Sequence, residues 1–307
     1  MASRVAVLPG KIPTHEFITM GATGWVYKLN DRIAIKFARE PDAEEFAKEN
    51  SMFDLFEKHT PCPYIVQSFL RITNANFLAF ISGGSLNDRL RLNQVRDDPF
   101  GKVLRVEKTE PFKLVERWLR ELTGAVVWLE SLGYVHGDLR PNNFLLDARD
   151  HLKLGDFDRA EKIGEPSSGN APPWARVLGN DAEHADEVGG QRGSFGINGP
   201  RTEQFSIGSN LYCMMYGFEP YEDRDDEGPV IVDLLQNLKF PELRGGRLDG
   251  IIDRCWRGHY HQLKDLLREA EALDRMPSEN AVLSEEYIED CRKECQALVE
   301  GGLLGSP

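Results

Sequence analysis

The chain has 307 residues, 41% of them hydrophobic and 28% charged, with 37 basic side chains against 50 acidic ones for a net charge of −13. That length can bury the core of two domains or of one large two-lobed one. The acidic balance excludes DNA, RNA or an anionic membrane surface as the expected partner, because each needs a concentrated basic face. Cys62, Cys213, Cys255, Cys291 and Cys295 are scattered, odd in number and free of C-x-x-C spacing. They read as reduced, mostly buried thiols of a cytoplasmic or nuclear protein. MASRVAVLPGKIP at the start has only four consecutive apolar residues, so no signal peptide is expected. No run approaches the roughly 18 apolar residues of a membrane span.

Residues 1–82 read as strand-rich. Phe17 to Leu29 carries apolar residues on either side of a turn that holds Gly21 and Gly24, where backbone N–H groups can lie over phosphates. Asn30-Asp31 then makes a tight turn into the strand Arg32 to Phe37, which holds Lys36. Pro41 to Lys58 is expected to be a helix, with Phe46, Met52, Phe53 and Phe56 as its apolar stripe. Asn76 to Ile81 reads as another strand. A long helix over 111–132 follows from Val115, Trp118, Leu119, Leu122, Val126 and Leu129, and Gly133 ends it. Residues 161–199 are rich in Gly, Pro, Ser and acids without periodicity, and are expected to form a long, mobile loop. The remainder is helical: Val230 to Leu238, Leu248 to Trp256, and a last helix capped by Ser284 and running through Leu298.

The most informative stretch is Tyr134 to Asp158, YVHGDLRPNNFLLDARDHLKLGDFD. The runs Phe144-Leu145-Leu146 and Leu152-Lys153-Leu154 suit paired strands and are too short for helices. Around them sit Asp138, Asn143 and Asp156: a carboxylate, an amide five residues on, and a second carboxylate after a hairpin. Hard oxygens in that order can hold Mg²⁺ and a hydroxyl nucleophile together.

HGDLRPNN resembles the protein-kinase catalytic loop H-R-D-L-x-x-x-N, and Asp156-Phe157-Asp158 resembles the kinase D-F-G. The resemblance implies an α+β, bilobal protein kinase-like fold. A small β-rich N-lobe would cover 1–82, and a mainly helical C-lobe 83–307, with an activation segment over 159–202. It implies ATP and Mg²⁺ bound between the lobes, Asp138 as catalytic base, Arg140 facing the transferred phosphate, and Asn143 and Asp156 as metal ligands. Lys36 matches the lysine of V-A-I-K, and Glu49 the helix glutamate that pairs with it, although Glu45 shares that helix face. Thr19, Gly21, Gly24 and Val26 fall in register with the glycine-rich loop. Ala34, Leu78 at the gatekeeper position, Ala79 to Ile81 along the adenine edge, and Leu145 complete the implied nucleotide site. Ser82 to Leu86 resembles the hinge exit GGSL, and Glu203 to Gly208 the D-x-W-S-x-G helix.

The departures from the pattern are specific. Thr19 stands for the first loop glycine, Gly137 for the arginine of H-R-D, and Asp158 for the glycine of D-F-G. Gly199-Pro200-Arg201 resembles A-P-E only through its proline, which puts a peptide-binding platform in question. The first reading is a divergent serine/threonine-type protein kinase, monomeric, transferring the γ-phosphate of ATP to a hydroxyl of a protein acceptor. A small-molecule phosphotransferase resembling the aminoglycoside and choline kinases is the second, since those commonly show HGD and a second acid after the metal Asp. The third is a pseudokinase acting as a nucleotide-binding interaction module. Gly137 also implies that the activation segment needs no phosphorylation. Its Glu161, Glu165, Asp181, Glu183, Asp186 and Glu187 would repel a phosphate on Ser167, Ser168 or Ser194, unless Arg159, Arg176 or Arg192 replaces the missing arginine.

Overall fold

The computed structural model describes residues 16–40, 43–180, 190–275 and 282–304. Pro41, expected to open the first helix, lies outside them, as do Asp181, Glu183, Asp186 and Glu187 of the acidic segment. The chain divides into two compact units. One takes the described parts of Met1–Gly83, Gly155–Arg159 and Glu279–Pro307, and the other Gly84–Leu154 and Ala160–Ser278.

The first unit is an antiparallel five-stranded sheet in the order β1-β2-β3-β5-β4, formed by Phe17–Met20, Gly24–Lys28, Ile33–Ala38, Ala75–Ala79 and Ser68–Ile72, where β4 is the last-named strand. Helix α1 spans Glu44–Phe56 and buries Phe46, Met52, Phe53 and Phe56, the stripe expected from spacing. Because a strand alternates its faces, Ile33, Ile35 and Phe37 point one way and Ala34 and Lys36 the other. Tyr27, Ile33, Ile35, Phe37, Phe69 and Phe77 make an apolar core on the first face.

That core is closed from the far end of the sequence. The last helix, Glu285–Glu300, is capped by Ser284, whose hydroxyl accepts from Tyr287 N at 3.2 Å. It drops Cys291 and Cys295 onto the sheet, both fully buried. Arg292 donates to Phe69 O at 3.0 Å, and Glu294 takes the Asn30 amide at 2.7 Å and pairs with Arg32. The helix thus belongs with the β-rich unit, whereas the sequence assigns all of 83–307 to one helical lobe. Composition hides this, because an amphipathic helix does not say which apolar face it will cover.

The second unit is helical: α2 (Leu86–Arg91), α3 (Phe112–Ser131), α4 (Pro200–Tyr216), α5 (Gly228–Gln236), α6 (Arg247–Trp256) and α7 (Leu263–Leu273), the helix at Glu285–Glu300 being α8. Three two-stranded pairs accompany them: β6 (Gln94–Arg96) with β7 (Val103–Val106), β8 (Tyr134–Val135) with β11 (Glu161–Lys162), and β9 (Phe144–Leu146) with β10 (Leu152–Leu154). In α3 the expected stripe is buried throughout, and Gly133 follows it at φ 84°, the left-handed geometry that glycine suits. The α+β architecture is as the sequence implies.

Residues 161–199 carry no helix among those described, but they are no bare loop. Trp174 and Leu178 are buried, and Leu178 exchanges main-chain bonds with Ser194 (2.8 Å) and Gly193 (2.9 Å). Absent periodicity reflects packing by isolated anchors, which no periodic pattern reveals.

A charge placed under α8 should unseat it. Cys295→Asp is expected to destabilise the first unit by about 3 kcal/mol or more, read as a lowered urea midpoint with unchanged slope. A change under about 0.5 kcal/mol would show that α8 contributes little to the core.

Candidate active site

In the first unit the ladder register gathers residues that the resemblance assigns to a nucleotide. Val26 lies opposite Lys36 across β2–β3, and Leu78 opposite Ala34 across β3–β5, so Val26, Ala34, Lys36 and Leu78 share the face away from α8. Thr19 is opposite Val26 on the exposed strand β1. Gly21 N donates to Gly24 O at 2.8 Å, closing the turn. A Cβ on Gly24 would stand 2.4 Å from Phe37 O, so the close strand contact requires glycine there. Ala79 pairs with Ile33 and packs against the apolar core, so only its main chain can serve a ligand on the Lys36 face. Ile81 follows β5, half-buried.

Lys36 is 5% exposed, and its ammonium lies 2.7 Å from Glu49 Oε2 and 2.6 Å from Asp156 Oδ1. Glu45 is exposed, which settles the helix glutamate as Glu49. Burial alone would lower the lysine's pKa, but the carboxylates of Glu49 and Asp156 raise it above its usual value and hold it charged. Glu49 moves up to about 7: complete burial is the largest cause, and Asp156 competes for the ammonium that would otherwise lower it. Phe157, fully buried, sets its ring edge-on to Phe53 and Phe56 of α1 at 5.4 and 5.0 Å. Asp156 itself takes φ 65°, a left-handed conformation uncommon for a residue with a side chain. Asp158, 6% exposed, accepts from the Thr23 hydroxyl at 3.0 Å.

In the second unit Asp138 is 2% exposed and its carboxylate is held from three sides. Oδ2 takes the Asn143 amide at 3.0 Å and the Arg140 guanidinium at 3.1 Å, and Oδ1 takes the Asn170 amide. Asn143 also donates to Asp138 O at 2.8 Å, so amide and carboxylate five residues apart are clamped together by the 3₁₀ turn Pro141–Asn143. Helix α4 fastens the loop from behind. Glu203 accepts from His136 N (3.0 Å) and Gly137 N (3.3 Å), and Asn210, two turns on along the same face, donates to Leu139 O at 2.9 Å. Burial pushes the Glu203 carboxyl up, against the pull of His136 and the two amides. Gly137 sits at φ 76°, where an arginine would be strained. Leu145 is half-buried on β9, bridged to Ser85 at the start of α2.

Three of these residues carry roles that spacing and motif do not reveal. Asn170 lies in an aperiodic stretch, and Thr23 is one polar residue in a glycine turn. His136 belongs to the H-G-D motif, but only the fold shows its Nδ1 accepting from Asp138 N at 3.2 Å. Asn170 at the head of the Asn170–Trp174 stretch meets Asp138. Pro173 O and Trp174 O accept from Ser209 and Ser206 of α4, at 2.8 and 2.5 Å, while Pro200 simply opens α4. A cavity there is lined by Gly137, Asn170, Trp174, Arg176, Arg201 and Phe205. Ser168, a candidate for phosphorylation, donates to the Glu161 carboxylate at 2.7 Å, and that charge would oppose a phosphate.

The chain belongs to the protein kinase domain family, which it matches over residues 14–296. It is similar to human Citron Rho-interacting kinase, 32% identical over 136 residues, covering 42% of this chain and 6% of that protein. It is likewise similar to mouse Rho-associated protein kinase 1, 31% identical over 137 residues, covering 43% of this chain and 10% of that protein. Human hormonally up-regulated neu tumor-associated kinase is 33% identical over 117 residues, 38% of this chain and 15% of that protein. The matched stretches are thus a small fraction of these longer relatives.

The donor chemistry fits the divalent ion that the family uses. In the first unit the three carboxylates of Glu49, Asp156 and Asp158 outnumber the one ammonium of Lys36. Among the described residues no cluster of three or more His, Cys, Asp or Glu is disposed to hold a metal alone.

The raised Glu49 pKa has a definite sign. A carboxyl that binds its proton more tightly in the folded chain stabilises it most below the unfolded value near 4.3. That contribution fades as pH rises through about 7. Relative to Glu49→Gln, the wild-type chain is therefore expected to lose stability as pH rises between roughly pH 4.5 and 7, then level off. Urea unfolding of both proteins across pH 5–8 measures it, and parallel curves would refute the assignment.

Proposed function

We propose that the chain is an ATP- and Mg²⁺-dependent protein kinase of serine/threonine type. The observation that carries the reading is the clamp on Asp138: a buried carboxylate fixed by Asn143 and Arg140, on a loop held rigid by Glu203 and Asn210. Phosphoryl transfer depends on positioning and charge neutralisation more than on covalent chemistry, and such a clamp supplies positioning. Asp138 orients the acceptor hydroxyl and takes its proton. Arg140 faces the transferred group, and Lys36, kept charged by Glu49 and Asp156, contacts the α- and β-phosphates. Asn143 and Asp156 would hold Mg²⁺, which neutralises charge on the phosphates. The turn at Gly21 and Gly24 offers main-chain N–H groups to the phosphates, with Thr19, Val26, Ala34, Leu78, Ile81 and Leu145 around the base. A protein acceptor is favoured over a small alcohol by the fastening of Pro173 and Trp174, close in sequence to the Asp138 partner Asn170, onto α4. With Gly137 in place of the arginine, the same function would proceed without phosphorylation of the activation segment.

Purified chain incubated with radiolabelled ATP and Mg²⁺, with generic proteins or a set of small alcohols as acceptors, tests it directly. Label on protein hydroxyls is expected. Transfer only to alcohols would reassign the acceptor, and nucleotide binding without transfer would mark an interaction module. Asp138→Asn should cut turnover by at least about a hundredfold while leaving ATP affinity within a factor of about two. Lys36→Met should weaken ATP binding or turnover, with near-ultraviolet circular dichroism checking the fold. Wild-type transfer by either variant contradicts these roles.

A further inference from the structure

The turn between β1 and β2 is anchored twice. Its main chain is fixed to the end of β3, where Arg39 N donates to Thr23 O at 2.9 Å. Its side chain reaches the stretch after β10: Thr23 Oγ1 donates to Asp158 Oδ2 at 3.0 Å. Asp158 occupies the place where the resembled motif has glycine, which offers no such partner. Three consecutive residues therefore reach three different elements. Asp156 meets Lys36 on β3, Phe157 enters the rings of α1, and Asp158 meets the turn.

An aspartate two residues beyond a metal-ligand aspartate has two chemically distinct uses, as a further oxygen for the ion or as an anchor for the chain. The geometry favours the anchor, since Asp158 is 6% exposed and one carboxylate oxygen is spent on a hydroxyl rather than left facing outward. A hydroxyl-to-carboxylate bond is charge-assisted and stronger than a neutral one. We propose that Asp158 is a positioning residue: through Thr23 it locks the phosphate-facing turn in register with Lys36 and Asp156, and it is not a metal ligand. The chain would thereby carry its turn pre-organised, at the cost of the pivot a glycine provides. The effect on nucleotide rests on the function proposed above, whereas the tie itself does not.

The experiment therefore has two arms. Hydrogen–deuterium exchange of peptides spanning 17–28 in the protein alone reads the tie. Thr23→Val and Asp158→Gly are each expected to speed exchange there by on the order of fivefold. Asp158→Asn, which keeps an acceptor oxygen, and Thr23→Ser, which keeps the hydroxyl, should stay close to wild type. The double variant should match either single one, because the two side chains act as one unit. The second arm measures ADP dissociation constants in excess chelator and in Mg²⁺. Thr23→Val and Asp158→Gly should weaken both by roughly threefold to tenfold, with the ratio between the two conditions unchanged. Unaltered exchange in Thr23→Val and Asp158→Gly would overturn the proposal. So would Asp158→Asn losing the Mg²⁺-dependent part of affinity while Thr23→Val keeps it, since that marks a metal ligand. If wild type binds no nucleotide, the proposed function fails and the exchange arm still decides the tie.

Discussion

One ammonium group, that of Lys36, is buried between Glu49 and Asp156, and the first unit is arranged to make that tolerable. A lone buried cation is costly, and two carboxylates within hydrogen-bond reach offset the cost. Each carboxylate must be delivered by a different element. Glu49 comes from α1, whose apolar stripe seats the helix so that this one charged position points inward. Asp156 comes from a short stretch held by Phe157 wedged against the same helix. The pairing thus couples strand, helix and loop, and losing any partner leaves a charge stranded. Complete burial is the largest reason that Glu49 is displaced upward, and the neighbouring charges of Asp156 and Asp158 add to it.

The second unit solves a different problem. Its loop around Asp138 is irregular backbone in a buried setting, and its N–H and C=O groups need partners. Helix α4 supplies them with two polar side chains on one face, Glu203 and Asn210. The cost of burying Glu203 appears as its raised pKa. What results is rigidity at Leu139 and His136, the residues either side of Gly137 and Asp138. Gly137 at a left-handed φ is part of the same construction, letting the chain bend so that both its amide and that of His136 meet one carboxylate.

Much of this architecture is legible in the order of residues. Local elements announce themselves by period: the stripe of α3, the pairing of β9 with β10, the cap at Ser284 and the stop at Gly133 all follow from neighbours in sequence. Lys36, Glu49, Asp138, Asn143 and Asp156 can be named because their spacing is dictated by the elements that carry them. Glu49 and Glu45 cannot be separated by spacing, since residues four apart share a helix face; burial separates them. Asn170 and Thr23 carry no signal, because single polar residues in turns are common and their partners lie far away in sequence, 32 and 135 residues off.

Sequence by itself determined the class of fold, its longer periodic elements and the charged residues to watch, since propensity, periodicity and motif spacing are local properties of the chain. Tertiary structure alone decided that α8 closes the sheet of the first unit and that Asn170 meets Asp138. It alone decided that Asp158 holds the glycine-rich turn. Each of these is a contact between distant segments. An amphipathic helix, an amide or a carboxylate has many chemically acceptable partners, and only the folded chain selects one by bringing it within about 3 Å.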